Sequence, residues 1–231
     1  MDWNYPIGNF CESKLFGHPE ILNSVSCFFI SFIPFVGIKY GEIYNNFTKN
    51  ILLLLIITGF TSFGFHWTGY YLFKHLDEVP MIISIWYGLL NCIKLVKGNI
   101  LLNFLLNLYF VSMLSINTIP KFGYLFPVLF GIAASTLLIP LSIYKYSNII
   151  SKKIVFNGIF ISLLSAFIWI ISEKFCSKYL ILGHSIWHIG ITHGMYKIMI
   201  GVEYSELNKF SKNKFTLNYI YRFIPVISYL Q

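Results

Sequence analysis

Three histidines stand where the chain is otherwise apolar. His66 lies in Ser62-Phe63-Gly64-Phe65-His66-Trp67-Thr68, and a pair lies in Gly183-His184-Ser185-Ile186-Trp187-His188. The spacing of four puts His184 and His188 on one helical face, where both imidazoles reach a single ion. Taken alone, the pair fits either metal binding or hydrogen bonding between helices. A third histidine in a second apolar segment, with carboxylates nearby, favours the metal. Three imidazoles leave one position of a tetrahedral zinc open, which is the catalytic arrangement and not the structural one. His193 is five and nine residues from the pair and faces elsewhere, while His18 and His75 fall in expected loops.

Two further groups complete a hydrolytic set. Ser62 is one turn before His66 on the same face, and its hydroxyl can donate to a developing oxyanion. In His75-Leu76-Asp77-Glu78-Val79-Pro80-Met81 the acidic pair reads as the cap and first turn of a helix with Pro80 just inside it. The two roles are compatible: Glu78 caps while Asp77 points inward. One carboxylate beside a metal-activated water serves as general base and then as general acid.

The elements that hold these residues are membrane spans. The chain of 231 residues is 56% hydrophobic and 11% charged, too little charge for the surface of a soluble domain. Seven apolar runs approach the ~20 residues that cross a bilayer: Ile21–Ile38, Ile51–Tyr70, Pro80–Val96, Ile100–Ile116, Leu125–Tyr144, Ile154–Ile171 and Leu180–Gly201. The expected fold is an all-α seven-helix transmembrane bundle over residues 21–201, with an N-terminal segment 1–20 and a basic tail 202–231. Residues 1–20 carry Asp2, Glu12 and Glu20 with no apolar run, and do not read as a cleavable signal.

Charge placement orients the bundle. Seven spans put 12 of the 17 cations on the side of the tail, against Lys14, Lys74, Lys121, Lys174 and Lys178 on the other. The positive-inside rule then puts the N-terminus in the lumen or exterior and the C-terminus in the cytosol. The net charge of +8 is thus topology and argues against a nucleic-acid partner. His66 falls about 22 Å along the second span, and His184 and His188 within about 12 Å of the lumenal start of the seventh, so all three share the lumenal half. Cys27 and Cys92 read as apolar fillers. Cys11 and Cys176 both fall on the lumenal side, where a bridge between them and two unpaired thiols are the alternatives. The glycines of the last span, Gly190, Gly194 and Gly201, read as helix-packing positions, and the tail from Phe215 as lying against the cytosolic interface.

Together the motifs resemble the alkaline ceramidases, within the CREST superfamily of intramembrane zinc hydrolases. The resemblance rests on Ser62-x3-His66, Asp77-Glu78-x-Pro80-Met81 eleven residues on, His184-x3-His188, Glu20-Ile-Leu-Asn23-Ser24-Val25-Ser26, and the Trp169-x6-Cys176 pattern. It implies a seven-helix enzyme of the endoplasmic reticulum or Golgi membrane that hydrolyses ceramide to a sphingoid base and a fatty acid. Zinc would sit on His66, His184 and His188, with Ser62 assisting the oxyanion and Asp77 moving the proton. The resemblance also implies the Cys11–Cys176 disulfide and a calcium site in the N-terminal segment. Asn9, Phe10, Glu12 and Glu20 match the calcium positions, but Lys14 stands where the family has an asparagine ligand. A lipid-sensing, receptor-like protein of the same superfamily is the alternative reading. A proton-relaying channel is disfavoured, because the polar residues gather at one depth.

Overall fold

Asparagines open three of the long helices. The side-chain oxygens of Asn45, Asn99 and Asn148 accept from the N–H groups of Phe47, Leu102 and Ser151, satisfying donors that a helix start leaves without partners. A computed structural model describes residues 10–95, 99–211 and 214–230. Along the chain run α1 (Cys11–Phe16), α2 (Ile21–Tyr40), α3 (Asn46–Thr68), α4 (Tyr71–Leu95) and α5 (Ile100–Asn117). A 3-10 turn (Pro120–Leu125) then leads into α6 (Phe126–Thr136) and α7 (Leu138–Ile143). The long helices α8 (Ile149–Lys174) and α9 (Gly183–Phe210) follow, and a hairpin of β1 (Phe215–Ile220) and β2 (Ile224–Tyr229) ends the fold. The protein is an all-α membrane protein with this one hairpin added.

Among the described residues, six helical stretches are long and apolar enough to cross a membrane: α2, α3, α4, α5, the composite Lys121–Ile143, and α8. Their outward faces carry Val25, Phe28, Phe60, Phe104, Phe160 and Phe167, all exposed, as lipid contact requires. Helix α9 is not among the six. It carries His184, His188, His193, Lys197 and Glu203 along its length and is the most enclosed, with Tyr196, Ile200 and Gly201 buried.

Several boundaries differ from those the sequence suggests. The third span begins at Tyr71, not at Pro80, so Asp77 and Glu78 sit inside α4 and His75 is helical, not in a loop. Tertiary contacts start the helix early. The buried Tyr71 donates its hydroxyl to the Asn117 carbonyl, and Lys74 pairs with Glu78 one turn on. Glu78 is therefore no cap. The expected fifth span is broken into the 3-10 turn, α6 and α7. The boundary expected at residue 201 falls within α9, which continues to Phe210.

Nor does the tail merely lie along an interface. Its antiparallel register runs from Phe215↔Tyr229 to Ile220↔Ile224, and Ile224, Val226 and Ile227 join a core with Ile33, Leu52 and Ile200. Tyr196 donates its hydroxyl to the Pro225 carbonyl and the Glu42 N–H donates to the Ile227 carbonyl. The hairpin thereby wedges α2 against α9.

Small residues bring α8 and α9 together. A Cβ at Gly194 would lie 2.1 Å from Ser162 Oγ, one at Gly190 2.4 Å from Ser165 Cβ, and one at Gly201 2.6 Å from a Val155 methyl. Close approach of the two backbones therefore requires glycine there. At the other end, Cys11 of α1 is joined by a disulfide to Cys176 just beyond α8, with Cα atoms 5.2 Å apart. That bond joins α1 to the end of α8, shortly before the start of α9.

Candidate metal centre and active site

His66 from α3 and His184 and His188 from α9 meet in the interior, each at most 3% exposed. Their ring centroids are 4.9 Å (66–184), 5.0 Å (66–188) and 4.6 Å (184–188) apart. Imidazoles bound to one tetrahedral zinc through Zn–N bonds of about 2.0–2.1 Å have centroids about 5 Å apart. One ligand atom each from Cys27, His66 and His188 also falls within 4.8 Å of the others, so this buried group can hold a metal ion.

Hydrogen bonds select which ring nitrogens face the centre. His66 Nδ1 lies 2.6 Å from Glu20 Oε2, a carboxylate, so Nδ1 carries the proton and donates. His188 Nδ1 lies 2.7 Å from Ser26 Oγ. The Ser26 hydroxyl donates to the Asn23 carbonyl at 2.7 Å, so its oxygen accepts from His188 Nδ1–H. His184 Nδ1 faces Glu173 Oε1 at 3.6 Å. His66 and His188 thus each have an oxygen acceptor at Nδ1, which leaves the Nε2 lone pair for a metal, while His184 Nδ1 has no hydrogen-bond partner. Phe10 covers the group from the N-terminal side, its ring 4.2 Å from that of His184 and 5.3 Å from that of His66.

Ser62 and Asp77 approach from α3 and α4. Both are buried, and Asp77 Oδ1 has no hydrogen-bond partner. A carboxylate oxygen left bare in an apolar interior is costly, and here it faces a cavity. Ser62, Asp77 and His188 line that cavity together with Met81, Phe130, Trp187 and Met195. A larger cavity shares those four apolar residues and extends between α6 and α8 past Leu163 and Ile170. A few polar groups in a largely apolar space suit an amphiphile with hydrocarbon chains.

The expected calcium residues are otherwise engaged. Glu12 accepts the Leu22 and Asn23 N–H groups, one on each oxygen, and so caps α2. Glu20 Oε2 serves His66 and the Asn23 amide, and only its Oε1 has no partner. The Lys14 ammonium lies 3.8 Å from Glu173, and Asn9 falls outside the described residues. One free carboxylate oxygen among these described residues does not fit the six to eight oxygens that calcium takes. His193, as expected, faces away, against Phe223.

Four residues at the site are given no role by the motifs. Ser26 and Glu173 orient imidazoles, and Asn23 holds Glu20, Cys27 and Ser185. Cys27 is no apolar filler: its thiol lies 3.7 Å from His188 Nδ1. Asn23, Ser26 and Cys27 share a face of α2 at spacings of three and four, a polar patch within an apolar span that could have drawn notice. Glu173 carries no such pattern, since only the fold brings it to His184.

The pattern of chemistry is matched by comparison with known proteins. The family model described as Ceramidase matches residues 8–229. The chain belongs to the ceramidase family. That match spans every element from α2 to β2, including both histidine segments and the Asp77 turn. No curated protein matches the chain. Membership gives a hydrolase with a sphingolipid substrate, within a membrane protein.

Proposed function

We propose that this ceramidase-family chain is a zinc-dependent intramembrane amide hydrolase that cleaves ceramide to a sphingoid base and a free fatty acid. The carrying observation is that the His66, His184 and His188 rings pack with centroids within 5.0 Å of one another, that oxygen acceptors stand at Nδ1 of His66 and His188, and that His188 lines one cavity with Asp77, whose Oδ1 has no hydrogen-bond partner. On this reading those three histidines are the zinc ligands. Cys27 is a neighbour, since a fourth protein ligand would close the position that catalysis needs. A zinc ion supplies a Lewis acid and a water that is nucleophilic near neutral pH.

The remaining work falls to the protein's own groups. The Ser62 hydroxyl donates to the amide oxygen as it gains negative charge. Asp77 Oδ1 takes a proton from the attacking water and passes it to the amide nitrogen as the C–N bond breaks, so the base leaves as an amine. The apolar cavities take the acyl and sphingoid chains and keep bulk water from the reacting atoms. In this proposal α9 is the seventh span, the N-terminus is lumenal, the C-terminus cytosolic, and the membrane is that of the endoplasmic reticulum or Golgi.

The test is to incubate the purified full chain with ceramide in detergent and measure free sphingoid base alongside bound metal. Release by the wild type, abolished in His188→Ala together with its zinc, supports the proposal. A zinc-loaded wild type that releases no base contradicts it.

A further inference from the structure

We propose that Glu173 is a positioning residue for the metal centre, orienting His184 and fastening helix α1 to it. The inference rests on His184 being a metal ligand, as proposed above. Glu173 lies in the last turn of α8, one turn before the disulfide-bonded Cys176. Its Oε2 accepts the Cys11 N–H at 2.8 Å and lies 3.8 Å from the Lys14 ammonium. Its Oε1 faces His184 Nδ1 at 3.6 Å, and both atoms are buried without any other hydrogen-bond partner.

A buried acceptor and a buried donor, each otherwise unsatisfied, have reason to close the few tenths of an ångström that separate them from an ordinary hydrogen bond. That contact puts the proton on Nδ1 and the lone pair on Nε2, as Glu20 and Ser26 do for the other two histidines. One carboxylate therefore joins three elements: α1 through Cys11 and Lys14, α8 through its own backbone, and α9 through His184. Lys14, in the place of an expected calcium ligand, supplies the positive charge beside it.

The experiment measures zinc affinity by competition with a graded chelator, on the full chain. Glu173→Gln should weaken zinc binding about 10–100-fold, the usual effect of losing an outer partner of a metal-bound histidine. Lys14→Met touches only the outer oxygen and should weaken it less than about fivefold, the reach of a half-exposed ion pair. Equal affinity of Glu173→Gln and wild type overturns the proposal, and so does an equal loss in both variants, which would place the effect in α1 and not at His184. A second measurement needs no variant. Hydrogen exchange at Cys11 and its neighbours in α1 should quicken when zinc is stripped from the wild type, and unchanged exchange overturns the link. A wild type that binds no zinc defeats the functional proposal itself, a distinguishable result.

Discussion

At the scale of single residues, the three imidazoles are differentiated by what stands behind them: a carboxylate behind His66, a hydroxyl behind His188, and a carboxylate at longer range behind His184. Ser26→Ala removes the acceptor for His188 Nδ1–H and should lower zinc affinity about tenfold without removing a ligand, measured by chelator competition. Asp77→Asn should retain one zinc per chain while turnover falls by about 10²–10⁴, the range for a lost general base; unchanged turnover would remove Asp77 from the mechanism. Cys27→Ser separates two readings of the buried Cys27, His66, His188 group. With three histidines as ligands it keeps its zinc, whereas metal loss would make Cys27 a ligand. The histidines, Ser62 and Asp77 were legible in sequence because ionisable and hydroxyl side chains stand out in apolar runs at helical spacing. The positioning roles of Ser26 and Glu173 were not, because they depend on which helices pack together.

At the scale of elements, two devices hold α9 in place: the glycine seam against α8 and the hairpin wedge against α2. Gly194 meets Ser162 and the Gly158 carbonyl so closely that Gly194→Leu must separate α8 from α9. A loss of about 1–3 kcal/mol is expected from such overpacking, seen as a lower midpoint of thermal unfolding, with zinc affinity falling as His184 withdraws from Glu173. The seam was readable from Gly190, Gly194 and Gly201, since small residues in an apolar helix have few other uses. The hairpin was not. Residues 215–229 mix aromatic and aliphatic side chains without a turn signature of the Asn-Gly kind, and Tyr221 and Arg222 take positive φ values of 51° and 66° that such residues seldom adopt. Docking against α2 and α9 imposes that turn. Pro80 misled for the opposite reason: it is favoured in a first turn, yet packing of Tyr71 and the Lys74–Glu78 pair carries α4 well ahead of it.

At the scale of the whole molecule, α1 is tied to the end of α8 by a disulfide across 165 residues, and the chain-entropy estimate for so large a loop is about 5 kcal/mol. Cys11→Ser with Cys176→Ser should lower the unfolding midpoint and loosen Phe10 from over His66 and His184. The calcium chemistry implied by resemblance has no completed donor set among the described residues, so a calcium-selective chelator should leave activity of the zinc-loaded protein unchanged. Fold class followed from composition, whereas α9, which the sequence suggests as a seventh span, is not among the stretches apolar enough to cross a membrane, because His184, His188, His193, Lys197 and Glu203 interrupt it. The most direct measurement is metal content per chain, by elemental analysis of the purified protein and of His66→Ala, His184→Ala and His188→Ala. The account predicts one zinc in the wild type and almost none in each folded, disulfide-bonded variant. Full zinc retained by His184→Ala, or an active wild type without zinc, would contradict it.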